Sequence, residues 1–214
     1  MFKAVIFDMD GIIFDTERLS MEGWKYAGEK TGFFMPTDIL MKTIGINRVQ
    51  AQKLFMDRFG ENFDLQFARK FKLEYEKRYI EEHGVPKKKG LDELLSFLRE
   101  RRYKTAIATS TDRNRTMFNL ENAGIKDFFD CVVCGDMVSK GKPDPEIYET
   151  ACRLLDVKPE DCLVLEDSPV GIMSAYGAKT KPVNIPDLIT PDESLSEMIY
   201  ARVDSLLDVI PILS

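Results

Sequence analysis

Short apolar runs recur along the chain, too far apart for hairpins. Ala4–Phe7, Thr105–Ala108, Cys131–Val133, Cys162–Leu165 and, more weakly, Pro182–Ile185 each read as a strand. Their apolar residues are consecutive rather than alternating, which predicts strands buried on both faces. Helical spacing fills the intervals. Leu91, Leu94, Leu95 and Leu98 mark one buried face, as do Ile147, Ala151, Leu154 and Leu155. The second of these helices has a start signal, with Asp144 at the N-cap and Pro145 at the first helical position. A further helix over Asp112–Ala123 ends at Gly124, suited to a C-terminal cap. Strands alternating with helices predict an α/β fold, a Rossmann-like parallel sheet covered by helices.

One stretch breaks the alternation. Residues 16–84 hold no strand-like run, favour helix and are rich in aromatics, with Phe67, Phe71, Tyr75 and Tyr79 recurring every four residues. That stripe predicts packing within a helical bundle. The domain reading is therefore an α/β core of residues 1–15 and 85–214, with an inserted α-helical cap of residues 16–84. Val85–Gly90 returns the chain to the sheet.

Length and composition fit that plan. The chain has 214 residues, 44% of them hydrophobic, enough for a packed core. Its net charge is −6, which speaks against a nucleic-acid partner. The charge of residues 16–84 is nearly balanced, so the acidity lies in the core. No run approaches the length needed to span a membrane. Met1-Phe2-Lys3 leads directly into a strand without a signal-peptide layout, so a cytoplasmic location is expected. Cys131 and Cys134 have C-x-x-C spacing but no second ligand pair, and read as small residues of a reduced protein. The only histidine, His83, is expected at the surface beside Gly84.

The chemistry collects at the predicted strand ends. The first strand runs into Asp8-Met9-Asp10-Gly11, two carboxylates two residues apart. Open α/β sheets bind ligands at that edge. Close carboxylates repel, and a hard oxygen-seeking cation such as magnesium would relieve the repulsion. The second strand runs into Thr109-Ser110-Thr111-Asp112, where hydroxyls and turn N–H groups can cradle an anion or simply cap the next helix. Lys142 lies in the stiff Gly141-Lys142-Pro143 segment before a helix, able to neutralise a phosphate oxygen and a carboxylate. The fourth strand ends in Glu166-Asp167, with Ser168-Pro169 set to open a helix.

In this order, the four segments resemble the motifs of the haloacid dehalogenase superfamily over almost the whole chain. Asp8, Asp10, Gly11 and Asp15 match its first motif, Thr109 the second, Lys142 the third and Glu166-Asp167 the fourth. Residues 16–84 resemble the small helical cap of the β-phosphoglucomutase-like subgroup, including Gly45-Ile46-Asn47-Arg48. The resemblance implies Asp8 as nucleophile and Asp10 as general acid and base. It implies Thr109, Lys142, Ser110 and Gly11 around the phosphoryl group, and Arg48 as a substrate-reading residue. Mg²⁺ would be held by Asp8, the carbonyl of Asp10 and Asp167, with Glu166 a direct or water-mediated ligand. Lys42, Lys70 and Lys72 are weaker substrate-reading candidates that read more simply as solvated helix charges, and Lys87–Lys89 reads as a solvated run.

The expected activity is Mg²⁺-dependent hydrolysis of a small organic phosphate monoester, a sugar phosphate among the candidates, by a monomer through an aspartyl-phosphate. The alternatives are a phosphomutase and an inactive binding module. Ser20 stands where the sugar-phosphate mutase carries a histidine, which favours hydrolysis. The acids and Lys142 are all present, which disfavours an inactive module.

Overall fold

The computed structural model describes residues 2–43, 48–60, 63–188 and 193–214, with Arg48 and Val49 described by backbone alone. It divides into two compact units, Met1–Phe14 with Lys87–Ser214, and Asp15–Pro86.

The first unit is built on β1 (Ala4–Phe7), β2 (Lys104–Ala108), β3 (Cys131–Val133), β4 (Cys162–Glu166), β5 (Lys181–Asn184) and β6 (Ala201–Arg202). They form one parallel sheet in the order β3-β2-β1-β4-β5-β6. The chain moves outward from β1 to β3, then crosses back to place β4 on the other side of β1. That reversal opens a crevice at the carboxyl ends of β1 and β4. Phe7 pairs with Ile107 and with Leu165, so the motif-bearing ends of three strands lie level.

Burial follows the apolar runs, and β1 is fully buried. One face of the sheet carries Ala4, Ile6, Ala106, Ala108, Val133 and Val164. They pack with Ile147, Tyr148, Ala151 and Cys152 of α7 (Glu146–Leu155), and with Ala175 of α8 (Pro169–Gly177). In α5 (Leu91–Glu100) the four spaced leucines are all buried. In α6 (Arg113–Ala123) the Asp112 carboxylate accepts from the N–H of Arg115 at 3.1 Å, and Gly124 ends the helix in the left-handed region.

Three details differ from the sequence reading. α7 begins one residue later than predicted, although the Asp144 side chain still caps it by accepting from the N–H of Glu146 at 3.1 Å. Its buried stripe is centred nearer Tyr148 and Ala151, which leaves Leu154 at the edge and 50% exposed. β6 has only two residues and no apolar run to announce it.

The second unit contains α1 (Thr16–Thr31), α2 (Thr37–Met41), α3 (Arg48–Phe59) and α4 (Leu65–His83). Trp24, Ala27, Leu40, Phe55, Phe63 and Ala68 are among its core residues. The aromatic stripe of α4 packs in the bundle in part, at the flank of the buried face: Phe71 lies against the core and the Tyr75 ring centroid is 5.4 Å from that of Tyr26 in α1. Phe67 is 49% exposed, whereas Leu65, Ala68, Lys72, Glu76 and Ile80 are buried. Lys72 is thus no solvated charge. Its ammonium meets Glu76 at 2.6 Å and lies 5.6 Å from the Trp24 ring centroid. Gly23 of α1 leaves room for it, since a Cβ there would come within 3.1 Å of the Lys72 stem. Lys88 also departs from the solvated reading, being paired with Asp187 at 2.8 Å. His83 is exposed, stacked on Tyr79. Among the described residues no helix is long and apolar enough to cross a membrane.

Candidate active site

Asp8 is the first residue beyond β1. Its N–H donates to the Leu165 carbonyl at 3.0 Å, extending the β1–β4 ladder to the crevice. The chain then turns back, with the Gly11 N–H donating to the Phe14 carbonyl at 2.8 Å. Gly11 has φ +88°, and a Cβ on it would lie 2.3 Å from Oδ2 of Asp167. Glycine is needed there on both counts. The same close approach sets the turn after β1 against the acid at the end of β4.

Lys142 comes from the segment before α7. That segment is tied down by Glu146, which accepts from the N–H of Ser139 at 2.9 Å and of Lys140 at 2.8 Å. The Lys142 side chain is 4% exposed, and its Nζ donates to Asp8 Oδ1 and to Glu166 Oε1, both at 2.6 Å. Glu166 is fully buried and its oxygens are committed. Oε1 also accepts from the Tyr148 hydroxyl at 2.8 Å, while Oε2 accepts from the Ser168 N–H at 2.9 Å and hydroxyl at 3.0 Å.

Beyond β2, Thr109 is buried, with its N–H donating to the Val133 carbonyl at 3.0 Å. Its hydroxyl oxygen accepts from the Thr111 N–H at 3.1 Å. The Thr111 hydroxyl in turn donates to Oδ2 of Asp10 at 2.8 Å, joining the loops after β1 and β2. Ser110 is exposed on the same loop. Asp8, Asp10, Gly11, Thr109, Ser110, Lys142, Glu166 and Asp167 therefore share one edge of the sheet. Among the sequence candidates, the Arg48 side chain and Gly45–Asn47 lie outside the described residues.

Residues 5–185 match the model of the haloacid dehalogenase-like hydrolase family. The chain belongs to that family. It is 35% identical, over 176 residues covering 82% of this chain and 81% of the relative, to a phosphorylated carbohydrates phosphatase of Thermotoga maritima. It is 32% identical to the beta-phosphoglucomutase of Bacillus subtilis over 82% of this chain and 80% of that protein. A solved Thermotoga maritima structure, provisionally assigned as a beta-phosphoglucomutase, superposes with a TM-score of 0.82 at 31% identity, covering 99% of this chain and 98% of that one. The protein is an enzyme, a phosphatase of the haloacid dehalogenase type.

The electrostatics of the edge suit that chemistry. Burial pushes the Asp8 carboxyl up to about 8; Lys142 opposes the rise, and the neighbouring Glu166 and Asp10 add to it. Glu166 is also buried, but Lys142 and the hydrogen bonds from Ser168 and Tyr148 outweigh burial and hold its carboxyl below the usual range. Lys142 stays charged, because the two carboxylates overcome its own desolvation. The hydrogen bonds to Glu166 thus favour its ionised form, while Asp8, held by Lys142 through one oxygen, is the more readily protonated of the two.

Among the described residues no three His, Cys, Asp or Glu side chains gather as a metal cluster. What the edge offers a hard divalent cation is the Asp8 and Asp167 carboxylates at neighbouring strand ends and the carbonyl of Asp10. Oxygen donors with positions left for water suit magnesium. Glu166 fits less well as a direct ligand, since both of its oxygens already accept hydrogen bonds.

Sequence reasoning passed over three participants. Tyr148 sits in the apolar stripe of α7, where an aromatic reads as core, although a buried hydroxyl needs a partner. Thr111 and Asp112 both read as candidate caps of the next helix, and Asp112 takes that role, leaving the Thr111 hydroxyl for Asp10. Ser168 does cap α8, accepting from the Gly171 N–H at 3.1 Å, and serves Glu166 as well. The C-x-x-C thiols take no part. Burial pushes Cys131 up to about 11 and raises Cys134 also, the reverse of a primed thiolate.

Proposed function

We propose that the protein hydrolyses a small organic phosphate monoester, with a sugar phosphate the favoured class, through an aspartyl-phosphate on Asp8. The observation carrying this reading is the buried Lys142 ammonium, 2.6 Å from Asp8 and from Glu166. It holds one Asp8 oxygen and leaves the other free for attack.

The Asp8 carboxylate attacks phosphorus, and the leaving alkoxide takes a proton from Asp10. Asp10 then removes a proton from water, which attacks the acyl phosphate, releases inorganic phosphate and regenerates Asp8. The Thr111 hydroxyl orients Asp10 for both transfers. Thr109, Lys142 and the N–H groups of the Ser110 loop receive the phosphoryl oxygens. Mg²⁺, held by Asp8, Asp167 and the Asp10 carbonyl, would offset the repulsion between two anions. Glu166 then acts by positioning Lys142. We assign recognition of the organic part of the ester to residues 16–84, with Arg48 as the candidate. Support for a carbohydrate substrate comes from the two named relatives, one a phosphatase and one a mutase. Between those two activities, Ser20 in place of a histidine favours hydrolysis.

A panel of phosphorylated metabolites assayed for released phosphate tests this directly. Sugar phosphates should be turned over with Mg²⁺, with activity lost in excess EDTA. Undiminished activity under chelation would remove the cation from the mechanism. Bisphosphate-dependent isomerisation of a hexose phosphate without net phosphate release would establish the mutase instead.

A further inference from the structure

Tyr148 is completely buried, yet it carries a hydroxyl. That hydroxyl donates to Glu166 Oε1 at 2.8 Å, the same oxygen that accepts from Lys142. The ring of Tyr148 lies beneath the same ammonium, its centroid 4.9 Å from Lys142 Nζ. One side chain thus touches both members of the buried ion pair, by two different interactions. The cation–π contact positions the ammonium from the side. The hydroxyl occupies part of the acceptor capacity of Oε1, which would otherwise draw the ammonium more strongly toward Glu166. Phenylalanine would fill the same space in the α7 stripe, so the hydroxyl is not needed for packing.

We infer that Tyr148 is a positioning residue for phosphoryl transfer, dividing Lys142 between Glu166 on one side and Asp8 with the transferring phosphoryl group on the other. This rests on the reading of Asp8 as nucleophile and Lys142 as the phosphoryl-binding cation. The effect runs entirely through Glu166 and Lys142. It belongs to the transition state, where charge on the phosphoryl oxygens and Asp8 is being redistributed, and not to ground-state binding.

The test is a double-mutant cycle on p-nitrophenyl phosphate hydrolysis. Tyr148→Phe is expected to lower kcat about tenfold, the size of a hydrogen bond to a charged group, with KM changed less than about twofold. In a Glu166→Gln background the same substitution is expected to cost less than about twofold, because its target is already altered. The melting temperature of Tyr148→Phe should stay within a few degrees of the parent in both backgrounds. Wild-type kcat in Tyr148→Phe, or an equal loss in both backgrounds, would overturn the inference. Lys142→Ala measured alongside separates the two levels: wild-type turnover there would sink the underlying mechanism whatever Tyr148→Phe does.

Discussion

Burial of Asp8 carries a cost that Lys142 offsets only in part. A carboxyl raised to about 8 in the fold, against about 3.9 when unfolded, holds its proton more tightly in the native state. In the absence of a cation, ionising Asp8 therefore weakens the fold as pH climbs from about 4 toward 8. A divalent ion binding to the ionised form must displace that proton. Mg²⁺ affinity is accordingly expected to rise about tenfold per pH unit up to about 8 and to level off above it. Titration calorimetry across pH 6–9 checks this, and an affinity independent of pH below 8 would contradict it. At this scale the sequence is legible where residue type is unusual for its place. Paired acids after an apolar strand stand out, as do a lysine held before a proline and a glycine after two aspartates. It is illegible where the residue type suits a bland role. Tyr148 looks like core, and Lys72 looks like any helix lysine until Gly23 and Glu76 are brought beside it.

Between residues and molecule lies the β4–turn–α8 unit, which holds Glu166. The first turn of α8 approaches that carboxylate so closely that a Cβ on Gly171 would overlap Oε1, at 1.7 Å. Gly171→Ala must push Glu166 away from Lys142 or displace the helix. The expected result is a melting temperature lower by several degrees together with a drop in kcat. A variant with parental stability and turnover would show that the approach is not constraining. Element existence was well marked in the sequence by apolar runs and helical spacing. Element edges were less so, because they are decided by hydrogen bonds such as Asp144 to Glu146 rather than by composition. The short β6 had no run to mark it, since pairing with β5 alone defines it.

For the whole molecule, the sheet order brings motifs more than a hundred residues apart to one edge. Alternating strands and helices made the parallel sheet legible. The order of the strands was not, because pairing partners leave no local trace. Sequence could likewise find four chemical segments but not the contacts that join them: Thr111 to Asp10, Gly11 to Asp167, Tyr148 to Glu166. In the α4 helix the aromatic period pointed to packing that Phe71 and Tyr75 do make, but it did not show that the fully buried face beside it carries an ion pair. The most direct measurement is the turnover of p-nitrophenyl phosphate by Asp8→Asn in saturating Mg²⁺, with circular dichroism to verify the fold. Loss of the attacking oxygen should lower kcat by at least ~10³ in a natively folded protein. Near-parental turnover by that folded variant would mean that Asp8 is not the nucleophile.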